Sequence, residues 1–349
     1  MSEYIKGQKK SYAHKIKKSR KENEGINSYL LRLLLNASPY YISGNSIANS
    51  LKMSRVAVWA RITKLRDEGF TIEASQNKGY RLAIEPNKVN KSLIEAWLTK
   101  KNIDCKLYVF DSLDSTNSEA ERLLTNEKKI PFAILANKQH SGRGRLGKDW
   151  YSPSKGNLYV SIAFKPNLNA LRLRKFTLWQ GISICNYLRT LCKSQDIKLK
   201  WPNDLVVDDK KLGGMLTEAK IDCENIKSLV FGFGLNINSK VASFSKPINK
   251  IATSIYELNG KKTRINEISA SIIKIILQSY NQCIIGIDDK LFIKEWDKLD
   301  SQLYNKISVK IGKNKYTGIA NGIDNEGGLK LKLKNGRLKT FHSGEISTV

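Results

Sequence analysis

Gln139-His140-Ser141-Gly142-Arg143-Gly144-Arg145-Leu146-Gly147 decides how the rest of the chain is read. It contains G-x-G-x-x-G, the spacing of a dinucleotide-binding turn. That turn must open straight into a helix whose N-terminus receives the pyrophosphate. Here the chain continues Lys148-Asp149-Trp150-Tyr151-Ser152-Pro153-Ser154-Lys155-Gly156, too broken by Pro, Ser and Gly to form that helix. A doubly wound dinucleotide fold is excluded. Three glycines predict instead a mobile loop able to close on a ligand, and the guanidinium forks of Arg143 and Arg145 supply charge-assisted bonds to carboxylate or phosphate. Alone, the segment also fits an exposed basic loop that touches nothing.

Three neighbouring segments sharpen that choice. Lys200-Trp201-Pro202-Asn203-Asp204 and Lys210-Lys211-Leu212-Gly213-Gly214-Met215-Leu216 read as strand, tight turn, strand. Lys211 then starts a strand beside two glycines, where its ammonium can meet a bound anion. Asp204 is a candidate Mg2+ ligand, because magnesium is held by one or two carboxylates plus phosphate oxygens. A packed turn at Trp201-Pro202 and an Asx turn at Asp204 stay open. Upstream, Asp114-Ser115-Thr116-Asn117-Ser118-Glu119 follows a predicted strand. Ser115 or Thr116 would cap a helix, with Thr116 and Glu119 at capping-box spacing. The same hydroxyl and amide groups would also satisfy the polar atoms of a small buried ligand. In Phe231-Gly232-Phe233-Gly234-Leu235-Asn236-Ile237-Asn238, alternate glycines bare one strand face, a mark of close approach by a ligand or another backbone.

Toward the N-terminus, 26–82 reads as three short helices and a hairpin. Helices are expected over 28–35, 46–51 and 54–68. Ser54 is the N-cap of the third, Val58, Ile62 and Leu65 face inward, and Gly69 follows it. β-prone runs at 70–74 and 79–82 form the wing of a winged helix-turn-helix. The other face of the third helix carries Ser54, Arg55, Val56, Trp59 and Thr63, a face suited to base edges in the major groove. Lys78 and Arg81 on the hairpin suit phosphate contacts. A three-helix interaction module that binds no DNA remains the alternative. Glu85-Pro86-Asn87 reads as a linker.

Beyond it, helices are expected over 91–101, 118–125, 172–193 and 265–283, with strands at 106–110, 132–137, 158–164, 205–207, 212–217 and 229–236. After 305 the helical signal vanishes, leaving strands at 307–311, 316–323, 329–333 and 338–341, with an Asn335-Gly336 hairpin turn. The fold class is α+β. A basic arm (1–25) precedes a winged helix-turn-helix (26–86), a central mixed-sheet α/β domain (87–303) and a small C-terminal β barrel (304–349).

Composition agrees with this division. The chain has 349 residues, 41% of them apolar and 26% charged, as in soluble globular proteins with a sizeable core. Sixty Lys and Arg against 32 Asp and Glu leave a net charge of +28, which points to nucleic acid or an anionic ligand, or to a Lys-rich surface. The arm contributes seven Lys and Arg20 before Gly25 and would hold DNA phosphates or simply be a solvated tail. The five cysteines form no C-x-x-C pair and stand with three histidines, so neither a disulfide framework nor a zinc site is expected. Glu3 and Lys6 replace any apolar signal region, and 268–287 reads as a packed amphipathic helix. A cytoplasmic protein with no membrane span is expected.

In this order, after a winged helix, the four segments resemble the biotin protein ligase family, specifically its type that is also the biotin operon repressor. The resemblance covers 26–348. It implies a biotin/lipoate ligase-type central domain and an SH3-like C-terminal barrel, into which Ser343-Gly344-Glu345-Ile346-Ser347 fits. It further implies formation of biotinyl-5′-AMP from biotin and ATP, with Mg2+, and transfer of biotin to a lysine of the biotin carboxyl carrier protein of a carboxylase. Carried across by position, Ser115, Thr116, Asn117, Gln139 and Gly142 bind biotin. Arg143 closes over biotin and the adenylate phosphate, Arg145 assists, and Lys211 meets the biotin carboxylate and α-phosphate. Trp150 and Asn236 lie beside the nucleotide, and Ile248 and Ile251 would cover it where 247–253 holds no tryptophan. The family pattern has an arginine near its end, where this chain has Thr348 and Val349, so none is expected to contribute there. A DNA operator, and a homodimer favoured by bound adenylate, are the implied partners. The alternatives are a ligase whose winged helix binds no DNA, a ligand-sensing transcription factor without ligase activity, and another carboxylic acid such as lipoate as substrate.

Overall fold

A computed structural model describes residues 24–127, 129–154, 156–166, 168–169 and 172–348. Residues 1–23 of the expected basic arm lie outside the described residues. The chain divides into two compact units, one running to Asp104 and including Asn266–Ala270, the other comprising Cys105–Ile265 and continuing from Ser271.

In the first unit, α1 (Ile26–Ala37) buries Leu30, Leu31 and Leu34, while its Arg32 forms a two-bonded buried pair with Glu24 at 2.7 Å. Next come α2 (Gly44–Leu51) and α3 (Arg55–Asp67). Ser43 Oγ accepts from the Ser46 N–H at 3.0 Å, so α2 starts earlier than its apolar pattern indicates. Ser54 Oγ accepts from the Ala57 N–H at 3.2 Å and caps α3 as expected; each such cap contributes about 1 kcal/mol. Val58, Ile62 and Leu65 are buried. The wing is β1 (Thr71–Ser75) paired antiparallel with β2 (Gly79–Ile84). The chain passes 85–87 and returns: α4 (Lys91–Lys100) packs on α1, with Ser28 Oγ donating to Glu95 Oε2 at 2.6 Å. Asn266 joins this unit by accepting from the Asn90 N–H at 2.8 Å and donating to the Lys88 carbonyl at 3.2 Å.

The second unit is built on one mixed sheet. Its elements are β3 (Lys106–Phe110), α5 (Thr116–Leu123), β4 (Phe132–Ala136), β5 (Asn157–Phe164), β6 (Leu168–Asn169), α6 (Leu173–Cys192), β7 (Lys198–Lys200), β8 (Asp204–Val207), β9 (Lys210–Asp222) and β10 (Asn225–Asn236). The strands lie in the order β3-β4-β5-β10-β9-β8-β7, with β6 on β10. β3 and β4 run parallel and the other neighbours antiparallel. β9 and β10 exceed their expected lengths because their shared hairpin leaves the core, and its polar residues carry no apolar signal.

Two layers of helix cover the sheet. Ala120 and Leu124 meet Phe132, Ile134, Ala163 and Val230. On α6, Trp179 Nε1 donates to Gln282 Oε1 at 2.8 Å. Phe164 stacks on Tyr280 with ring centroids 4.1 Å apart. α7 (Ile248–Ile251), α8 (Ile255–Asn259), α9 (Ile265–Ile285) and α10 (Asp289–Asp297) follow. α10 was not expected; it is short and charged, with only Phe292 and Trp296 buried. Finally β11 (Lys306–Ile311), β12 (Asn314–Ile323), β13 (Leu329–Leu333), β14 (Leu338–Phe341) and β15 (Glu345–Thr348) form a five-stranded antiparallel sheet in the order β14-β13-β12-β11-β15. Among the described residues, no helix is long and apolar enough to cross a membrane.

Candidate active site

The glycine-bearing face of β9 and β10 forms the floor of the site. A Cβ on Gly232 would lie 2.2 Å from Asn117 Oδ1, and one on Gly234 would lie 2.5 Å from Trp150 Cε2. The alternate glycines therefore admit one amide and one indole. The Trp150 Nε1 is buried without a hydrogen-bond partner among the described residues.

A cavity of about 440 Å³ opens above this floor. Ser115, Thr116 and Asn117 line it from the start of α5. Ser115 holds the N-cap position, yet its side chain makes no cap bond, and the expected capping box does not form. Gln139 Oε1 instead accepts from the Thr116 N–H at 2.8 Å and from Thr116 Oγ1 at 3.1 Å. Gln139 Nε2 donates to Ser152 Oγ at 2.8 Å. A second polar chain runs from buried Ser161, whose Oγ donates to Asn117 Oδ1 at 2.5 Å, through Asn117 Nδ2 to Glu218 Oε2 at 2.7 Å.

The loop after Gln139 is held as a narrow hairpin. The Trp150 N–H donates to the Gly142 carbonyl at 2.8 Å, and the Gly144 N–H to the Lys148 carbonyl at 2.6 Å. Lys148 Nζ lies 2.9 Å from Glu345 Oε1 on β15. This loop brings Arg143, Arg145 and Trp150 to the cavity wall, while Gly142 is buried and does not line it. Arg143 pairs with Glu218, with Glu121 at 3.4 Å, and donates to Ser118 Oγ at 3.2 Å. The bond to Glu218 raises its pKa above the ordinary arginine value. Arg145 is in the opposite condition: burial lowers its pKa, offset in part by the more distant charges of Asp204 and Glu345.

Across the cavity Lys211 Nζ lies 2.8 Å from Asp204 Oδ1 and 5.2 Å from the centre of the Trp150 ring. Asn236 Nδ2 donates to the Thr253 carbonyl at 3.0 Å, tying the end of β10 to the turn after α7. Ile248 and Ile251 complete that side, Ile248 packed on Val241 and Phe244. Among the described residues no three His, Cys, Asp or Glu converge as a metal cage.

A cavity with two arginines and a lysine on its wall suits an anion. Comparison with known proteins agrees. Residues 109–236 match the Biotin/lipoate A/B protein ligase family, 306–349 the Biotin protein ligase C terminal domain and 27–81 an HTH domain. The bifunctional ligase/repressor BirA of Escherichia coli is 30% identical over 322 residues, 91% of this chain and 95% of that protein. The chain belongs to the biotin protein ligase family. The Bacillus subtilis bifunctional ligase/repressor BirA is 29% identical over 91% of this chain and 97% of its own. Among solved structures, the biotin protein ligase from Aquifex aeolicus in complex with biotin and ATP matches with a TM-score of 0.59. It is 28% identical, over 69% of this chain and 97% of that one.

Within this biotin protein ligase, sequence reasoning missed Ser161, Glu218 and the Lys148–Glu345 pair. Glu218 had a signal: it continues the face of Gly214 and Leu216 at strand period. Ser161 is a lone polar residue in an otherwise apolar run.

The residues expected to face DNA belong to the first unit. Arg55, Val56 and Trp59 are exposed, Trp59 at 56%, with Ser54 exposed at the cap and Thr63 half-buried. Lys78 is exposed in the β1–β2 turn. Arg81 is already engaged: its Nη2 lies 2.5 Å from Glu73 Oε2, and its guanidinium sits 4.9 Å over the Tyr41 ring.

Proposed function

We propose that this protein joins biotin to ATP as biotinyl-5′-AMP and then transfers biotin to a lysine of the biotin carboxyl carrier protein of a carboxylase. The observation that carries the reading is that Arg143 and Arg145 of one loop and Lys211, more than sixty residues further along the chain, line one cavity.

In the first step an oxygen of the biotin carboxylate attacks the α-phosphorus, the bond to the β-phosphate oxygen breaks, and pyrophosphate leaves. Both reactants are anions, so their approach needs fixed positive charge; Lys211 and the partly buried Arg145 supply it from the cavity wall. Removing one such donor costs on the order of 3 kcal/mol. In the second step the carrier's lysine amine attacks the acyl carbon and AMP leaves. No nucleophile from this chain is required. Ser115, Thr116, Asn117, Gln139 and the Gly142 turn hold biotin, while Trp150, Asn236, Ile248 and Ile251 flank the nucleotide. Arg143 covers the mixed anhydride and keeps water from it. Asp204, a cavity-wall carboxylate now paired with Lys211, would hold Mg2+ beside the phosphates of a bound nucleotide. Bound there, the ion would offset phosphate charge.

Pyrophosphate exchange into ATP, measured with and without biotin, tests this. Exchange that requires biotin is expected; none with biotin, or equal exchange without it, overturns the reading. Lipoate in place of biotin should give none.

The exposed Arg55, Val56 and Trp59 face favours a second role as a DNA-binding repressor with biotinyl-5′-AMP as corepressor. In this reading the adenylate favours a homodimer, whose paired wings match a two-fold operator.

A further inference from the structure

We propose that Glu218 is a latch on Arg143, competing with the acid groups of the ligand for that guanidinium. The proposal rests on the ligase reading and adds a positioning residue to it.

Two arginines of one loop stand in different conditions. Arg145 lines the cavity and its guanidinium has no hydrogen-bond or ion-pair partner among the described residues, while burial disfavours its charge. It is set to take an anion at once. Arg143 is spoken for: Glu218 and Glu121 share Nη2, and Ser118 takes Nη1. A phosphate or carboxylate approaching Arg143 in this position meets two like charges.

Glu218 is also fixed from its other side. Its Oε2 accepts from Asn117 Nδ2 at 2.7 Å, and Asn117 is held in turn by Ser161 and seated against Gly232. Anchored to the floor through Asn117, Glu218 is held back from following Arg143 into the cavity. The guanidinium must therefore exchange one carboxylate for another acid group. Arg145 receives the ligand first, and Arg143 closes only when the ligand outcompetes Glu218. At 37% and 30% exposure the two side chains form a pair of modest strength, as a reversible latch requires.

The test is release of biotinyl-5′-AMP, formed on the full-length protein from labelled biotin and ATP and chased with unlabelled biotin. Glu218→Gln keeps an acceptor for Asn117 and removes the charge facing Arg143. It should slow release roughly threefold to tenfold. In an Arg143→Ala background the same substitution should change nothing, a result a merely structural role would not give. Glu218→Asp, too short to span Asn117 and Arg143, should also slow release and serves if Glu218→Gln fails to fold. Unchanged or faster release in both variants overturns the latch, as does equal slowing without Arg143. A wild-type protein that forms no adenylate overturns the ligase reading itself, and the latch with it.

Discussion

Trp150 and Gly234 show how closely this site depends on single atoms. The indole occupies the space that a side chain on β10 would fill, and any Cβ at 234 falls within 2.5 Å of it. Gly234→Ala should therefore leave the sheet intact, since alanine is tolerated in a strand, while displacing the ring. The expected result is on the order of tenfold weaker ATP binding by titration calorimetry, with a melting temperature changed by only a few degrees. The thiols provide a separate check. Burial pushes both Cys185 and Cys283 up to about 12, whereas Cys223 is exposed. At pH 8 a thiol reagent should label Cys223 within minutes and reach Cys185 and Cys283 only after denaturation. Fast labelling of either buried thiol would contradict the packing of α6 and α9.

At the scale of elements, the sequence signals that succeeded were periodic or chemical. Ser54 as a cap, Val58, Ile62 and Leu65 as an inward face, and the apolar runs of β3, β4 and β5 were legible because each is local. What stayed hidden depended on partners distant in sequence. Ser115 looks like a cap, but the Gln139 side chain takes the first amide of α5. Glu218 looks like a surface strand residue until Asn117 and Arg143 reach it. α10 escaped notice because its only inward residues, Phe292 and Trp296, are too few for a period. Its C-terminal connection carries a buried carboxyl: Asp300 accepts from Trp296 Nε1 at 3.1 Å and from the Gln302 N–H at 2.8 Å, and burial raises it from 3.8 to about 6. The folded chain thus keeps a proton that the unfolded chain releases. This stabilisation is complete below pH 3.8, falls as pH rises, and is gone above about 6. Relative to Asp300→Asn, wild-type stability should drop by about 2 kcal/mol between pH 4 and pH 6 and level off by about pH 7, read from urea unfolding at each pH. A pH-independent difference would remove this account of the 296–302 segment.

For the whole molecule, the separation of chemistry from surface makes two activities independently removable. The cations of the cavity all lie on the second unit, while Arg55, Val56 and Trp59 lie on α3 of the first and support none of its core. Trp59→Ala with Arg55→Ala should therefore abolish specific DNA binding and leave biotin-dependent pyrophosphate exchange within about twofold of wild type, because exposed substitutions rarely move stability by more than ~0.5 kcal/mol. Sites would first be selected from a random duplex pool with biotin and ATP present. If the adenylate is the corepressor, affinity for those sites should fall when either compound is withheld, by the factor that bound DNA returns to adenylate affinity. Salt then separates charge from recognition. A net charge of +28 favours non-specific binding to any duplex, and that fraction weakens steeply with added salt. Loss of the Arg55 and Trp59 contacts should collapse the preference for selected over scrambled duplex, while the residual binding keeps a steep salt dependence. A double variant that retained full preference would mean that α3 does not read the bases, and the repressor reading would lose its structural basis.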